Sequence, residues 1–204
     1  MSESCIEGEH LEWDTMLADG KMQIRDAAEK PRGTHVGRTH WVYKMRPGDG
    51  VQPACGRSRI VYDPVACGKS SSEIYGELPV FCPSLHWHST CALFACKVQH
   101  NMCCIGFDVK QAYLNASLPE GKGYWAQLPK DRQVGNEGKL LYFSCGIYGA
   151  GPSGRAWHED HVDTCAEIKC LPLASEPTIC CRCDERGTLC IGTNVDDGIV
   201  LASS

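Results

Sequence analysis

From residue 178 to residue 201 the chain is three short apolar runs separated by two polar turns. Residues 178–183 lead into Asp184-Glu-Arg-Gly187, residues 188–193 into Val195-Asp-Asp197, and Gly198-Ile-Val-Leu201 completes the series. Such runs, joined by such short turns, predict hairpins, because a parallel crossover needs a dozen residues or more. The segment is therefore committed to an antiparallel meander. Asp196 and Asp197 then stand at the tip of a hairpin, between Ile191-Gly-Thr-Asn-Val195 and Gly198-Ile-Val-Leu201. Residues 103–109 form another apolar run, and it predicts a strand that ends in Asp108. One sheet could bring all three carboxylates together. Adjacent carboxylates repel unless cations neutralise them. Three of them suit a pair of Mg²⁺ ions, which are hard and prefer oxygen ligands. Asp-Asp is also an ordinary turn dipeptide, and the pair alone leaves that alternative open.

The rest of the chain predicts a mixed α+β fold. Trp41-Val-Tyr-Lys-Met-Arg46 alternates as a strand, Pro47-Gly-Asp-Gly50 reads as a turn, and residues 57–62 form the return strand of a basic hairpin. Leu85, Cys91, Ala92, Ala95 and Cys96 recur at helical spacing, which predicts a helix over 85–99. Residues 140–148 predict a strand, 149–154 a turn and 155–168 a helix. With 204 residues there is enough chain for one domain, or one and a half. No run of about 18 apolar residues predicts a membrane span. The start, MSESCIEGEHLEWD, is acidic and unlike a secretory signal, so an intracellular protein of cytoplasm or nucleus is expected.

The formal charge of −5 hides a division. Residues 1–20 hold six acids and no Lys or Arg; residues 21–70 hold ten Lys or Arg against four acids; residues 71–204 hold ten against fifteen. A basic region is thus set between acidic ones. The 15 cysteines raise the question of a metal or disulfide scaffold. A reducing compartment disfavours disulfides. Cys180 and Cys183 make one C-x-x-C, and Cys190 follows, but a tetrahedral zinc site needs a fourth ligand. The plainer reading makes these cysteines small buried hydrophobes. His86-x-His88 and His158-x-x-His161 are similar near-misses for metal chelation.

Several segments resemble the copia-type LTR-retrotransposon reverse transcriptases. Phe107-Asp-Val-Lys-Gln-Ala-Tyr-Leu-Asn115 is similar to their "DVKTAFLNG", and Asn194-Val-Asp-Asp197 to "YVDD". Gly146-Ile-Tyr-Gly-Ala-Gly-Pro-Ser-Gly-Arg-Ala-Trp157 resembles "SLYGLKQAPRAW" without a gap. Trp41-Val-Tyr-Lys44 resembles "WVYK", Arg57-Ser-Arg-Ile-Val61 resembles "KARLV", and Tyr124-Trp-Ala-Gln-Leu-Pro129 is similar to "VYMEQPEGF". The six blocks stand in the family's order.

The resemblance implies a right-hand polymerase with fingers and palm, an antiparallel palm sheet with packed helices, and no thumb. Residues 1–20 would be an acidic N-terminal segment, 21–80 a fingers-like basic β region and 81–204 a palm-like region. It implies an RNA-directed DNA polymerase that joins a dNTP to a primer 3′-hydroxyl by two-metal nucleotidyl transfer. Asp108, Asp196 and Asp197 would be the catalytic carboxylates and hold Mg²⁺ or Mn²⁺. Tyr113 would be the gate against a ribonucleotide 2′-hydroxyl, and Arg57 and Arg59 would contact the triphosphate through their donor forks. Asn194, Gly151 and Pro152 occupy template- or primer-side positions. Trp157 is expected to be core packing. Implied partners are an RNA or DNA primer–template and dNTP, with other Pol domains or a second subunit beyond them, and no membrane.

Two departures bear on activity. Asn194 replaces the motif tyrosine, and Pro152 replaces the loop glutamine, so it brings neither side-chain amide nor N–H. With no thumb, RNase H, integrase or protease segment, the sequence reads as a truncated, divergent copy, weak or inactive alone. One alternative is a non-catalytic relic of a retroelement. Another is a dinucleotide-binding oxidoreductase, because Gly149-Ala-Gly151-Pro-Ser-Gly154 is a literal G-x-G-x-x-G after an apolar run. Strand direction separates them: the dinucleotide fold needs parallel strands at this turn, the polymerase an antiparallel hairpin beside Asp108.

Overall fold

Alternating apolar residues build two five-stranded sheets in the computed structural model, which describes residues 3–47, 55–64, 71–76, 78–119 and 121–203. In chain order the elements are α1 (Glu3–Ala18), β1 (Met22–Asp26), β2 (Val36–Arg46), β3 (Cys55–Asp63), α2 (Ser71–Tyr75), α3 (Trp87–Gln99), β4 (Cys103–Asp108) and α4 (Ala112–Asn115). They continue with β5 (Tyr124–Ala126), β6 (Lys139–Phe143), α5 (Pro152–Glu167), β7 (Leu171–Leu173), β8 (Glu176–Asp184), β9 (Gly187–Asn194) and β10 (Asp197–Ala202). The fold is mixed α+β, and its residues cluster into two units: 1–78 with 118–153, and 79–117 with 154–204.

The first unit holds the sheet β1-β6-β5-β2-β3. Its pairings are antiparallel except for β2 with β5, which run parallel through Val36 opposite Trp125. Ile60, Leu141 and Phe143 are fully buried here, and each stabilises the unit by roughly 1.5–3 kcal/mol. Helix α1 lies close against β3. Ser58 Oγ donates to the Cys5 carbonyl at 2.7 Å. A Cβ on Gly56 would stand 2.7 Å from Cys5 Sγ, so glycine permits that approach. The sequence suggested only an acidic segment here. Cys5, Trp13 and Met16 give the helix a buried face instead.

The second unit holds the sheet β4-β10-β9-β8-β7, antiparallel throughout. Alternation sends successive side chains to opposite faces. One face sets Leu201, Ile179 and Cys190 against Leu93 of α3. The other sets Cys180 and Ile191 against Cys165 and Val162 of α5.

Both helices end in the same way. Met102 N–H bonds back to Lys97 O and Asn101 N–H to Val98 O, with Asn101 at φ 48°. Cys170 N–H bonds to Cys165 O and Lys169 N–H to Ala166 O, with Lys169 at φ 63°. This is the Schellman closure, which satisfies the last helical carbonyls and turns the chain into β4 or β7. Glycine normally supplies the left-handed residue. Asn101 and Lys169 do so here, so no glycine marks these stops.

Several expected boundaries shift. Strand β2 begins at Val36 rather than 41, because Gly37 packs flat on the Tyr62 ring and pairs with Ala126. Strand β6 ends at Phe143 rather than 148, and α5 begins at Pro152 rather than 155. Proline suits a first helical position, where its missing N–H costs nothing. The expected turn at 47–50 falls at Gly48, Asp49 and Gly50 outside the described residues. Among the described residues, no helix is long and apolar enough to cross a membrane.

Candidate active site

Strands β9 and β10 join through a two-residue turn, Val195-Asp196, with Asn194 opposite Asp197. Val195 has φ 60°. A β-branched residue seldom adopts that conformation, because its Cβ crowds the following carbonyl, and it persists only where its surroundings hold it. Two hydrogen bonds hold it here. Trp157 Nε1–H donates to Val195 O at 2.7 Å, from α5. Val109 N–H donates to Asp196 O at 2.7 Å, from the end of β4. Both turn carbonyls are thereby fixed.

The β4–β10 register sets Asp108 directly opposite Asp197. Directly opposed residues share a sheet face, with Cβ atoms about 4.5–5.5 Å apart. The backbone thus draws all three acids to one end of the sheet. Asp108 and Asp197 are exposed, and Asp196 is half-buried. Like charges directly opposed destabilise a sheet, so a divalent cation fits this donor set of hard oxygens. Among the described residues no three His, Cys, Asp or Glu side chains form a ready metal-binding group. The backbone is assembled; the carboxylates are not drawn in around a common point.

Tyr113 lies on α4, which opens from Gln111 in the left-handed region at φ 55°. Its ring is half-buried. Burial pushes its phenol pKa up, and the charges of Cys82 and Asp196 push the same way. Its hydroxyl is 3.8 Å from where a Cβ on Gly154 would stand. Asn194 is exposed at the end of β9.

Arg57 and Arg59 belong to β3, in the first unit. They share one face. Arg57 is exposed and opposite Lys44; Arg59 is opposite Val42. Two cations directly opposed form a strip that favours an anion. The Arg59 guanidinium lies 4.7 Å from the centre of the Tyr148 ring. Its Nε is buried with no hydrogen-bond partner among the described residues.

The glycine-rich turn is consumed by packing. A Cβ on Gly149, at φ +90°, would stand 2.1 Å from Tyr62 O. Tyr62 N–H donates to Tyr148 O at 2.8 Å, so β3 and the turn touch there. Gly151 N–H donates to the Tyr75 hydroxyl at 3.1 Å, which leaves no amide cradle for a pyrophosphate. Pro152 is buried, and the Ser153 hydroxyl accepts from Ile147 N–H at 2.8 Å. The run before this turn, β6, pairs antiparallel with both neighbours. The dinucleotide-binding alternative is therefore set aside, since its fold needs parallel strands there.

Trp157 corrects the expectation of simple core packing: it is the donor that secures the acidic turn. The signal that could have revealed it is Val195, a two-residue hairpin turn without glycine that needs an outside clamp. The histidine pairs gather no third ligand among the described residues. The His161 ring lies 5.8 Å from the Trp157 ring, tilted by 36°.

A model of the family described as Reverse transcriptase (RNA-dependent DNA polymerase) matches residues 23–204. The chain belongs to that family. A solved structure of the foamy viral protease–reverse transcriptase in complex with double-stranded DNA is similar at 14% identity and a TM-score of 0.48. That match covers 100% of this chain and 26% of the other, so the chain spans about a quarter of that protein's length. No curated protein matches the chain.

Proposed function

We propose that this chain is the fingers-and-palm part of a copia-type reverse transcriptase, extending a primer with dNTP on a nucleic-acid template. Residues 21–80 are the fingers-like part and residues 81–204 the palm-like part; β5 and β6, from the latter range, complete the sheet of the former. The observation that carries this reading is the register of Asp108 opposite Asp197, with Asp196 tied to Val109.

In the proposed reaction Asp108, Asp196 and Asp197 would hold Mg²⁺ or Mn²⁺. When bound, the metals supply charge neutralisation for the attacking primer 3′-oxygen and the leaving pyrophosphate. The chain's own residues position the reactants. Trp157 and Val109 fix the backbone of the acidic turn, and so set the positions from which the carboxylates would reach a metal. Tyr113 presents a flat ring beside Asp196, where it would reject a 2′-hydroxyl. Arg57 and Arg59 offer donor forks to the triphosphate.

Primer extension on an RNA template with Mg²⁺ tests this. Incorporation is expected, and Asp196→Asn should reduce it by at least about 100-fold, since even outer partners of a metal are worth 10–100-fold. Absence of incorporation at high protein concentration would favour the second reading, a non-catalytic relic on the same scaffold. Pro152 is the observation behind that reading. It is buried at the start of α5 and offers no amide to a template or nucleotide.

A further inference from the structure

The sheet of the second unit carries a pair of thiols that the proposed polymerase chemistry does not use. Cys181 of β8 and Cys190 of β9 are direct cross-strand partners. Their sulfurs lie 2.8 Å apart, and both are free thiols, half-buried rather than sealed. Directly opposed strand residues have Cα atoms about 4.5–5.5 Å apart, inside the roughly 4.4–6.8 Å range that a disulfide spans. Oxidation therefore needs little backbone movement.

We propose that Cys181 and Cys190 are an oxidisable dithiol, a modification site at which a hydroperoxide such as hydrogen peroxide closes a cross-strand disulfide. The Cys190 thiolate attacks one peroxide oxygen and breaks the O–O bond. Cys190 becomes a sulfenic acid, and the departing hydroxide takes up the proton lost from its thiol, giving water. The Cys181 thiol then loses its proton and attacks the Cys190 sulfur. The expelled hydroxide takes that proton as a second water. Two thiols are oxidised and one peroxide is reduced. The order follows from the pair's own hydrogen bond. Cys181 donates to Cys190, which lowers the Cys190 pKa and raises that of Cys181, and the thiolate is the nucleophile.

Nearby thiols compete poorly. Cys104 shares this face, but Leu201 of β10 stands between it and Cys190. That is two strand spacings, roughly 9.5 Å, beyond the reach of a disulfide. Cys180 points to the opposite face and is sealed against Cys165.

The test uses the full chain and its Cys181→Ala variant. Each is treated with hydrogen peroxide at neutral pH, alkylated and digested with trypsin without reduction. The expected product links residues 170–182 to residues 187–204, since Cys190 is the sole cysteine of the latter peptide. Two free thiols should be lost per chain, and reductant should restore both. Cys181→Ala should abolish the link and leave a Cys190 sulfenic acid that dimedone captures. The proposal is overturned if the link survives Cys181→Ala, or if residues 156–169 link to 170–182 instead. It is also overturned if the chain in urea forms the same link as fast as the folded chain.

Discussion

At the scale of single residues, Val195 is the one β-branched side chain with positive φ among the described residues. A β-branched side chain at φ 60° costs about 1–2 kcal/mol, and the hydrogen bonds from Trp157 and Val109 offset it. Trp157→Phe keeps an aromatic ring but removes the donor, together with part of the indole's packing surface. Unfolding free energy should fall by at least about 1 kcal/mol, the net worth of one such bond, as read from urea titration. On the proposed reading, incorporation should fall as well, because Asp196 follows Val195 through the same turn. An unchanged stability would show that the bond does not hold the turn. The sequence displayed the acids but not the clamp: Trp157 lies 38 residues from the carbonyl it meets.

At the scale of elements, α3 and β8 are joined through a buried glutamate. Burial pushes the Glu176 carboxyl pKa up, but Ser89 Oγ, donating at 2.6 Å, and Thr178 Oγ1, at 2.7 Å, favour the charged form. The backbone and charge of His86 act in the same direction, and the net effect is below the ordinary 4.5. A carboxyl held low in the fold stabilises it above the ordinary pKa, and that stability is lost as pH falls through the folded value. The difference in unfolding free energy between the native chain and Glu176→Gln should be largest at neutral pH and shrink progressively below about 4.5. A difference that stays constant with pH would contradict this account. Helix α3 lies where it was expected, but Cys91, Ala92, Ala95 and Cys96, from which it was read, are exposed and Leu93 is the buried residue; its bond to β8 joins residues 87 positions apart.

At the scale of the whole molecule, charge is segregated. Residues 21–70 carry ten Lys or Arg against four acids, although the chain as a whole is −5. On the proposed reading this region meets phosphates, so template–primer affinity should fall linearly with the logarithm of salt concentration. Replacing Arg57 and Arg59 together by Gln should make that slope shallower by about two, one for each phosphate contact. Fluorescence anisotropy of a labelled duplex across a salt series measures it. An unchanged slope would remove both arginines from the phosphate path.

The sequence by itself determined the antiparallel 178–201 meander, the helix near 85–99 and the acids at strand ends, because period and turn chemistry are local properties. Resemblance of motif blocks pointed to the family that the match over 23–204 shows. Tertiary structure decided what local pattern could not. It put Asp108 opposite Asp197, used Gly149 to admit β3, and set Cys181 against Cys190. Each of these depends on which strand lies beside which. Such pairing is fixed by burying whole faces against helices, and no window of neighbouring residues contains that information.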